Sequence, residues 1–182
     1  MRFHGVTPRE PWAYSRYAVS VYKFYAWLRE NLLKYSVHTA EEAHKTGIPM
    51  MRPLPMVFPE DKEAVYWEDE YFYGSDLLVA PVHQEGEKRR IYFPSGSWIN
   101  LLDFRKMVGG NRIFQVDVPI DKIPVYIREG ACILSVMNGE LQLGQSMTYE
   151  KKNTVLMSRA LNETSGKRYA DCLLYTSDAA DD

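Results

Sequence analysis

Apolar positions along the chain follow two different periods, and the change falls near residue 75. From about Tyr14 onward, Val21, Phe24, Tyr25, Leu28, Leu32 and Tyr35 recur at intervals of three and four, with Lys23, Arg29, Glu30 and Lys34 between them. That spacing predicts an amphipathic helix of several turns. Residues Thr39 to Lys45 either extend it or form a second short helix, and Gly47 followed by Pro49 supplies a stop. Ahead of the helix, Gly5, Pro8 and Pro11 break up Met1 to Trp12, which reads as the end of a strand and a loop. Beyond it, Pro49 to Leu54 reads as a buried strand whose two prolines confine its ladder bonding. Asp61 to Asp69, opened by Pro59-Glu60-Asp61 with acids near its start, reads as a further helix.

After Gly74 the apolar runs shorten and glycine and proline separate them. Leu77 to Val82, Arg90 to Pro94, Trp98 to Leu102, Ile113 to Ile120, Ile123 to Ile127 and Ala131 to Leu134 are the runs; Ser95-Gly96-Ser97 and Gly109-Gly110 are turns. Short strands with turns at roughly 8–12-residue spacing predict an antiparallel sandwich or barrel. The fold class expected is therefore α/β plus all-β, with a parallel βαβα piece up to about residue 75. Two strands and two helices are too few to close a parallel sheet buried on both faces, so the first part is expected to belong to something longer.

Composition narrows the function classes. The 182 residues are 46% hydrophobic and 25% charged with a net charge of −2, which fits a globular protein and leaves no electrostatic footprint for nucleic acid or an anionic membrane surface. No apolar stretch reaches the ~18 residues of a spanning helix. Met1 to Gly5 lacks the apolar run of a secretory signal, and the two cysteines, Cys132 and Cys172, make no disulfide framework. Both features favour a cytoplasmic location, conditional on Met1 being a true beginning. No zinc, calcium or phosphate-loop motif is present, and Ser15, Ser75 and Ser95 lack a nucleophile-elbow context, so no metal or cofactor is expected. Glu10 falls in a proline-rich loop, and Asp61, Glu68, Asp69 and Glu70 read as a solvated helix face. Trp27 and Trp98 read as core, while Trp12 suits either packing or a sugar-stacking role.

A succession of strings carries a family resemblance. In order they are Met1-Arg2-Phe3-His4-Gly5, Pro8-Arg9-Glu10-Pro11-Trp12, Gly47-Ile48-Pro49-Met50-Met51-Arg52-Pro53-Leu54, Phe58-Pro59 and Tyr71-Phe72-Tyr73-Gly74. Asp76-Leu77-Leu78-Val79-Ala80-Pro81-Val82, Tyr92-Phe93-Pro94-Ser95-Gly96-Ser97-Trp98 and Ile123 to Ala131 follow. Across about 130 residues this order resembles glycoside hydrolase family 31, the α-glucosidase and α-xylosidase family. The resemblance implies that residues 1–75 are the end of a (β/α)8 catalytic barrel and residues 76–140 a β-sandwich domain. Residues 141–171 would then start a further β domain. Residues 172–182 resemble a translated sequencing adaptor and are expected to stand outside fold and function.

The family implies a retaining mechanism in which one aspartate attacks the anomeric carbon and a second protonates the leaving oxygen, the two carboxyls lying about 5–5.5 Å apart. Both belong to barrel strands before the segment matching Met1, so no catalytic residue is expected in this chain. Substrate contact is expected from His4, at the C-terminal end of a late barrel strand, and from Arg2 on the same side of that strand. The implied partner is an oligosaccharide or glycoside ending in α-linked glucose or xylose, with a galactoside or sulfonated glucoside as an alternative and oligomeric state unspecified. A non-catalytic carbohydrate-binding β-module is the competing class, because it also explains a strand-rich second half without catalytic acids. On either reading, exposed barrel helices and unpaired strands predict low stability for the chain alone.

Overall fold

The computed structural model of the protein describes residues 6–84, 86, 88–102, 107–131, 133–137, 142–146 and 153–157. Two compact units divide it, one within Met1–Lys34 and Ser135–Val155, the other within Tyr35–Leu134 and Leu156–Asp182.

In the first unit the expected loop ends early, at the single-turn helix α1 (Pro11–Tyr14), where Pro11 at the first helical position loses no hydrogen bond. Helix α2 (Arg16–Asn31) starts at Ser15, whose Oγ accepts the Ala18 N–H at 3.0 Å. Its last residue, Asn31, is fully buried. The Asn31 Nδ2 donates to the Val136 carbonyl at 2.6 Å, its Oδ1 accepts the Gly144 N–H at 2.8 Å, and its own carbonyl accepts the Ser135 hydroxyl at 3.0 Å. A polar residue in the apolar stripe is thus a clamp joining residues more than 100 positions apart. Helicity breaks at Leu32, inside the helix expected to run to Tyr35, and resumes as α3 (Leu33–Thr46), so Thr39 to Lys45 extend the helix that carries Tyr35 rather than form a separate short one.

The second unit is built on a six-stranded sheet in the order β1-β2-β3-β8-β5-β6. Its strands are β1 (Met51–Pro53), β2 (Tyr71–Tyr73), β3 (Leu77–Val79), β5 (Ser97–Asn100), β6 (Met107–Gly109) and β8 (Val125–Arg128). A separate ribbon pairs β4 (Lys88–Phe93) with β7 (Arg112–Asp117), and β9 (Ile133–Met137) pairs with β10 (Asn153–Met157). Every ladder with a resolved register is antiparallel. That corrects the expected parallel arrangement before residue 75. β1 turns back through the short helix α4 (Leu54–Val57) and pairs antiparallel with β2, a route that needs no helical crossover. Nor is β1 a buried strand: Met51 is 57% exposed, and only Arg52 turns inward, where its guanidinium meets Glu42 at 2.6 Å and its Nε donates to the Pro49 carbonyl. The helix expected over Asp61 to Asp69 is a single 3-10 turn, Ala64–Tyr66. Asp61 spends its carboxylate on the Glu63 N–H and the Tyr92 hydroxyl, holding the chain in a turn.

Register and alternation explain the core. One row across the sheet runs Arg52, Phe72, Leu78, Tyr126, Asn100, so Phe72, Leu78 and Tyr126 share a face with Trp98, two residues before Asn100. They meet Ile91 and Phe93 from the ribbon, with Phe114 and Val116 packed at the margin, in the two-layer arrangement of a sandwich. Trp98 is fully buried, centred among Phe72 (5.6 Å between ring centroids), Phe58 and Phe93 (6.5 Å each), and its indole N–H donates to the Pro94 carbonyl at 2.9 Å.

On helix α3, Tyr35 clasps the β2–β3 turn. Its hydroxyl donates to the Tyr73 carbonyl at 2.8 Å and accepts the Asp76 N–H at 3.3 Å. Gly74, between them, has φ +67°, and a Cβ there would overlap that hydroxyl. Gly74→Ala is therefore expected to lose about 2 kcal/mol or more of unfolding free energy, and Tyr35→Phe about 1–2 kcal/mol, read from urea midpoints. A Gly74→Ala protein as stable as the parent sequence would contradict the clasp.

Candidate functional site

Alternation on the β4–β7 ribbon separates two chemistries. Arg89, Ile91 and Phe93 lie on the inner face; Lys88, Arg90 and Tyr92 alternate with them on the other face, opposite Asp117, Gln115 and Ile113 of β7, where Lys88 and Arg90 are exposed and Tyr92 is buried. The segment from Glu63 to Asp69 folds over this outer face. Trp67 lies nearly parallel to Tyr92, with ring centroids 5.8 Å apart and planes at 16°, and its indole N–H donates to Glu63 Oε1 at 3.2 Å. The Arg90 guanidinium stands 5.8 Å from the indole centroid. Beneath, the Tyr92 hydroxyl donates to Asp61 Oδ2 at 2.6 Å, and burial, together with that bond and the Asp61 charge, raises its pKa above the ordinary phenol range.

Two clefts border Trp67. One, about 390 Å³, runs toward His83, Gln84, Lys88 and Gln115; the other, about 470 Å³, runs toward Glu63, Tyr66, Glu68 and Ile113. Both share Trp67, Asp69 and Arg90 as walls. Their volumes fall within the range of small-molecule sites, and aromatic surface beside a few convergent polar groups is the usual lining of such sites.

The floor is a network of ionisable groups, buried at Arg89 and Glu70 and partly exposed at Asp69 and His83. Arg89, 7% exposed, reaches Asp69 Oδ1 at 2.9 Å and donates to the carbonyls of Pro81, Arg90 and Asp69. His83 Nε2 stands 3.2 Å from Asp69 Oδ2. Next to Asp69, Glu70 is 2% exposed rather than solvated as its polar neighbours suggest. Its Oε1 accepts the Tyr92 N–H at 3.0 Å and lies 3.7 Å from Arg89, while Oε2 has no hydrogen-bond partner. Burial pushes the Glu70 carboxyl up to about 8, against the pull of the Tyr92 N–H and Arg89. This cluster was missed by sequence reasoning, since an Asp-Glu pair ahead of an aromatic strand carries no mark of its burial.

His4 and Arg2, the expected sugar contacts, lie outside the described residues. Trp12 sits on α1, 71% exposed. Trp27 is half-buried and lines a separate cleft of about 750 Å³ within the first unit, with Phe24 and Gly144, so it is not the enclosed core residue expected. Trp98 is core. Glu68 is exposed, in keeping with a solvated charge. Among the described residues no three His, Cys, Asp or Glu side chains converge as a metal would need, and no helix is long and apolar enough to cross a membrane.

Comparison with known proteins places these features. The family model described as "Glycosyl hydrolase family 31 C-terminal domain" matches residues 47–133. The chain is 32% identical over 130 residues to alpha-glucosidase 2 of Bacillus thermoamyloliquefaciens, covering 71% of this chain and 16% of that protein. It is 33% identical over 136 residues to an alpha-xylosidase of Saccharolobus solfataricus, covering 73% and 18%. Among solved structures, the cycloalternan-forming enzyme of Listeria monocytogenes, in complex with a pentasaccharide substrate, superposes with a TM-score of 0.79 at 29% identity, covering 84% of this chain and 15% of that one. The chain thus spans less than a fifth of the length of these relatives.

Glu70 ties stability to pH. Because its folded-state value lies near 8, above the ordinary carboxylate value of 4.5, the folded state holds a proton that the unfolded state has released between those limits. The stabilisation is full below about pH 4.5 and is lost as pH climbs through 8. Glu70→Gln is expected to flatten the fall in unfolding free energy between pH 5 and 8 and to be the more stable protein at about pH 8. Parallel urea curves for the two proteins across that range would contradict this.

Proposed function

We propose, because the chain belongs to glycoside hydrolase family 31 and carries its C-terminal domain, that the protein it comes from is a retaining α-glycosidase releasing terminal α-linked glucose or xylose from oligosaccharides. The observation that supports this most is the family match over residues 47–133, joined to relatives that are an alpha-glucosidase and an alpha-xylosidase. Retention demands a nucleophile and an acid/base on the two faces of the scissile bond. The chain's own well-placed carboxylates do not fit those roles: Glu70 is buried beneath the ribbon, and Asp69 is held by Arg89 and His83.

In this reading the second unit is a structural support for a barrel that brings the two aspartates. His4 donates or accepts a hydrogen bond at a sugar hydroxyl, a contact that strengthens as the ring approaches its oxocarbenium-like transition state, and Arg2 is the second residue proposed to contact the sugar. The glycosyl-enzyme that such a mechanism forms is opened by water or by another sugar hydroxyl. Likeness to a cycloalternan-forming enzyme makes transfer a second outcome to be measured together with hydrolysis.

The test is turnover of α-glucosides and α-xylosides by the protein encoded with its upstream barrel, followed by NMR of the anomeric protons. The expected result is release of the α-anomer first, and a His4→Ala protein with kcat/KM lowered by about 10²-fold or more, the scale of a lost transition-state contact. The 182-residue chain alone is expected to give no turnover above buffer. Turnover by the chain alone, or first release of the β-anomer, would contradict the assignment.

A further inference from the structure

The trough over the outer face of the β4–β7 ribbon has no part in the chemistry proposed above, yet it has the composition of a binding site. Four features bear on its ligand. First, the ring surface is accessible: Tyr66 is 76% exposed at the rim, and Trp67 is half-buried with clefts on two sides. Second, the indole is held in place by Tyr92 below and by the N–H bond to Glu63, so little side-chain freedom is lost when a ligand docks against it. Third, the polar groups at the walls, Arg90, Gln115 and Glu63, are exposed and offer both donors and acceptors.

The fourth feature is charge. The two clefts together are lined by three acids, Glu63, Glu68 and Asp69, and three permanent cations, Lys88, Arg89 and Arg90. Arg89 and Asp69 already neutralise each other at 2.9 Å. A phosphate or sulfate ligand needs surplus cation, and a cationic ligand needs surplus carboxylate; this lining supplies neither. What it suits is a neutral molecule with an apolar face to lie against an aromatic ring and a rim of hydroxyls to meet a carboxylate, a guanidinium and an amide. A pyranose chain has that chemistry.

We propose that the Trp67 trough is an auxiliary binding site for neutral α-linked glucan oligosaccharides, with Tyr66 and Trp67 stacking on sugar rings and Arg90, Gln115 and Glu63 bonding their hydroxyls. The α-glucan identity rests on the glycosidase reading; the site itself rests on the trough. Arg90, exposed and set over the indole, swings off the ring face as the sugar arrives and donates to its hydroxyls.

The test is calorimetric titration of the whole 182-residue chain with maltopentaose and isomaltotriose, beside cellopentaose and dextran sulfate. Saturable binding of an α-glucan with a Kd below ~10 mM is expected. Tyr66→Ala, an exposed change that leaves the core intact, and Arg90→Gln are each expected to weaken it about tenfold, with unchanged urea midpoints. Trp67→Phe, which keeps a ring on Tyr92, is expected to weaken it less. The site is overturned by absence of saturable α-glucan binding, by Tyr66→Ala and Arg90→Gln proteins that bind as the parent sequence does, or by preference for dextran sulfate; equal affinity for cellopentaose overturns the α-glucan assignment. Catalysis by the barrel-bearing protein is measured separately, so failure here leaves the glycosidase reading standing, and failure there leaves the trough's ring and hydroxyl chemistry to be judged by this titration.

Discussion

Burial of Trp98 is the constraint on which the second unit depends. Its indole is fully enclosed by Phe58, Phe72 and Phe93, three rings drawn from three separate stretches of chain, and its N–H is satisfied by the Pro94 carbonyl just before its own strand. A side chain of that size fixes the spacing of sheet and ribbon, because interiors packed at crystal-like density neither close over a void nor admit an extra atom. Phe93 then sets the ribbon: it meets Tyr126 at 4.7 Å and Phe114 at 5.7 Å, both edge-to-face, so β4 sits in one register over the sheet.

From that placement the outer surface follows by alternation alone. If Phe93 and Ile91 point at Trp98's side of the ribbon, Tyr92, Arg90 and Lys88 must point away, and Arg89 must point in. An inward arginine at the end of the apolar run requires carboxylate and carbonyl partners, and the Asp69-Glu70 segment is drawn against it. The same segment carries Trp67 onto Tyr92. The uncomfortable member is Glu70, whose Oε2 is buried and bare, and whose carboxyl is held neutral up to about pH 8 by that burial. The module therefore accepts a pH-sensitive group as the cost of anchoring β4 through the Tyr92 N–H.

Much of this was legible in the sequence, and the failures have physical causes. Helicity from Val21 to Tyr35, though not its break at Leu32, and the strands around Leu78, Tyr92, Trp98, Phe114 and Tyr126 declare themselves because period and turn residues agree. β1 misled because an apolar run after a helix reads as a parallel strand, whereas pairing direction depends on a partner strand much further along the chain, Pro53 meeting Tyr71 and Met51 meeting Tyr73. Asp61 to Asp69 misled because its acids look like a helix start, when Asp61 in fact serves a turn and a distant tyrosine. Asn31 and Glu70 show the general limit: a buried polar residue is specified by partners far along the chain, Val136 and Gly144 for one, Tyr92 and Arg89 for the other. Family membership was carried by the order of the motifs and agrees with the match over residues 47–133. The expected sugar contacts, His4 and Arg2, fall outside the described residues, so the trough at Trp67 had to be found from packing rather than from any motif.

The central proposal, resting on membership of glycoside hydrolase family 31, is that this chain supports a barrel whose catalytic carboxylates are encoded upstream of Met1. Reading the source DNA upstream of the Met1 codon tests it most directly. The account predicts an open frame continuing upstream, with one aspartate on each of two barrel-type strands. A stop codon and a ribosome-binding site immediately before Met1 would contradict it and would leave the β module to act by binding alone.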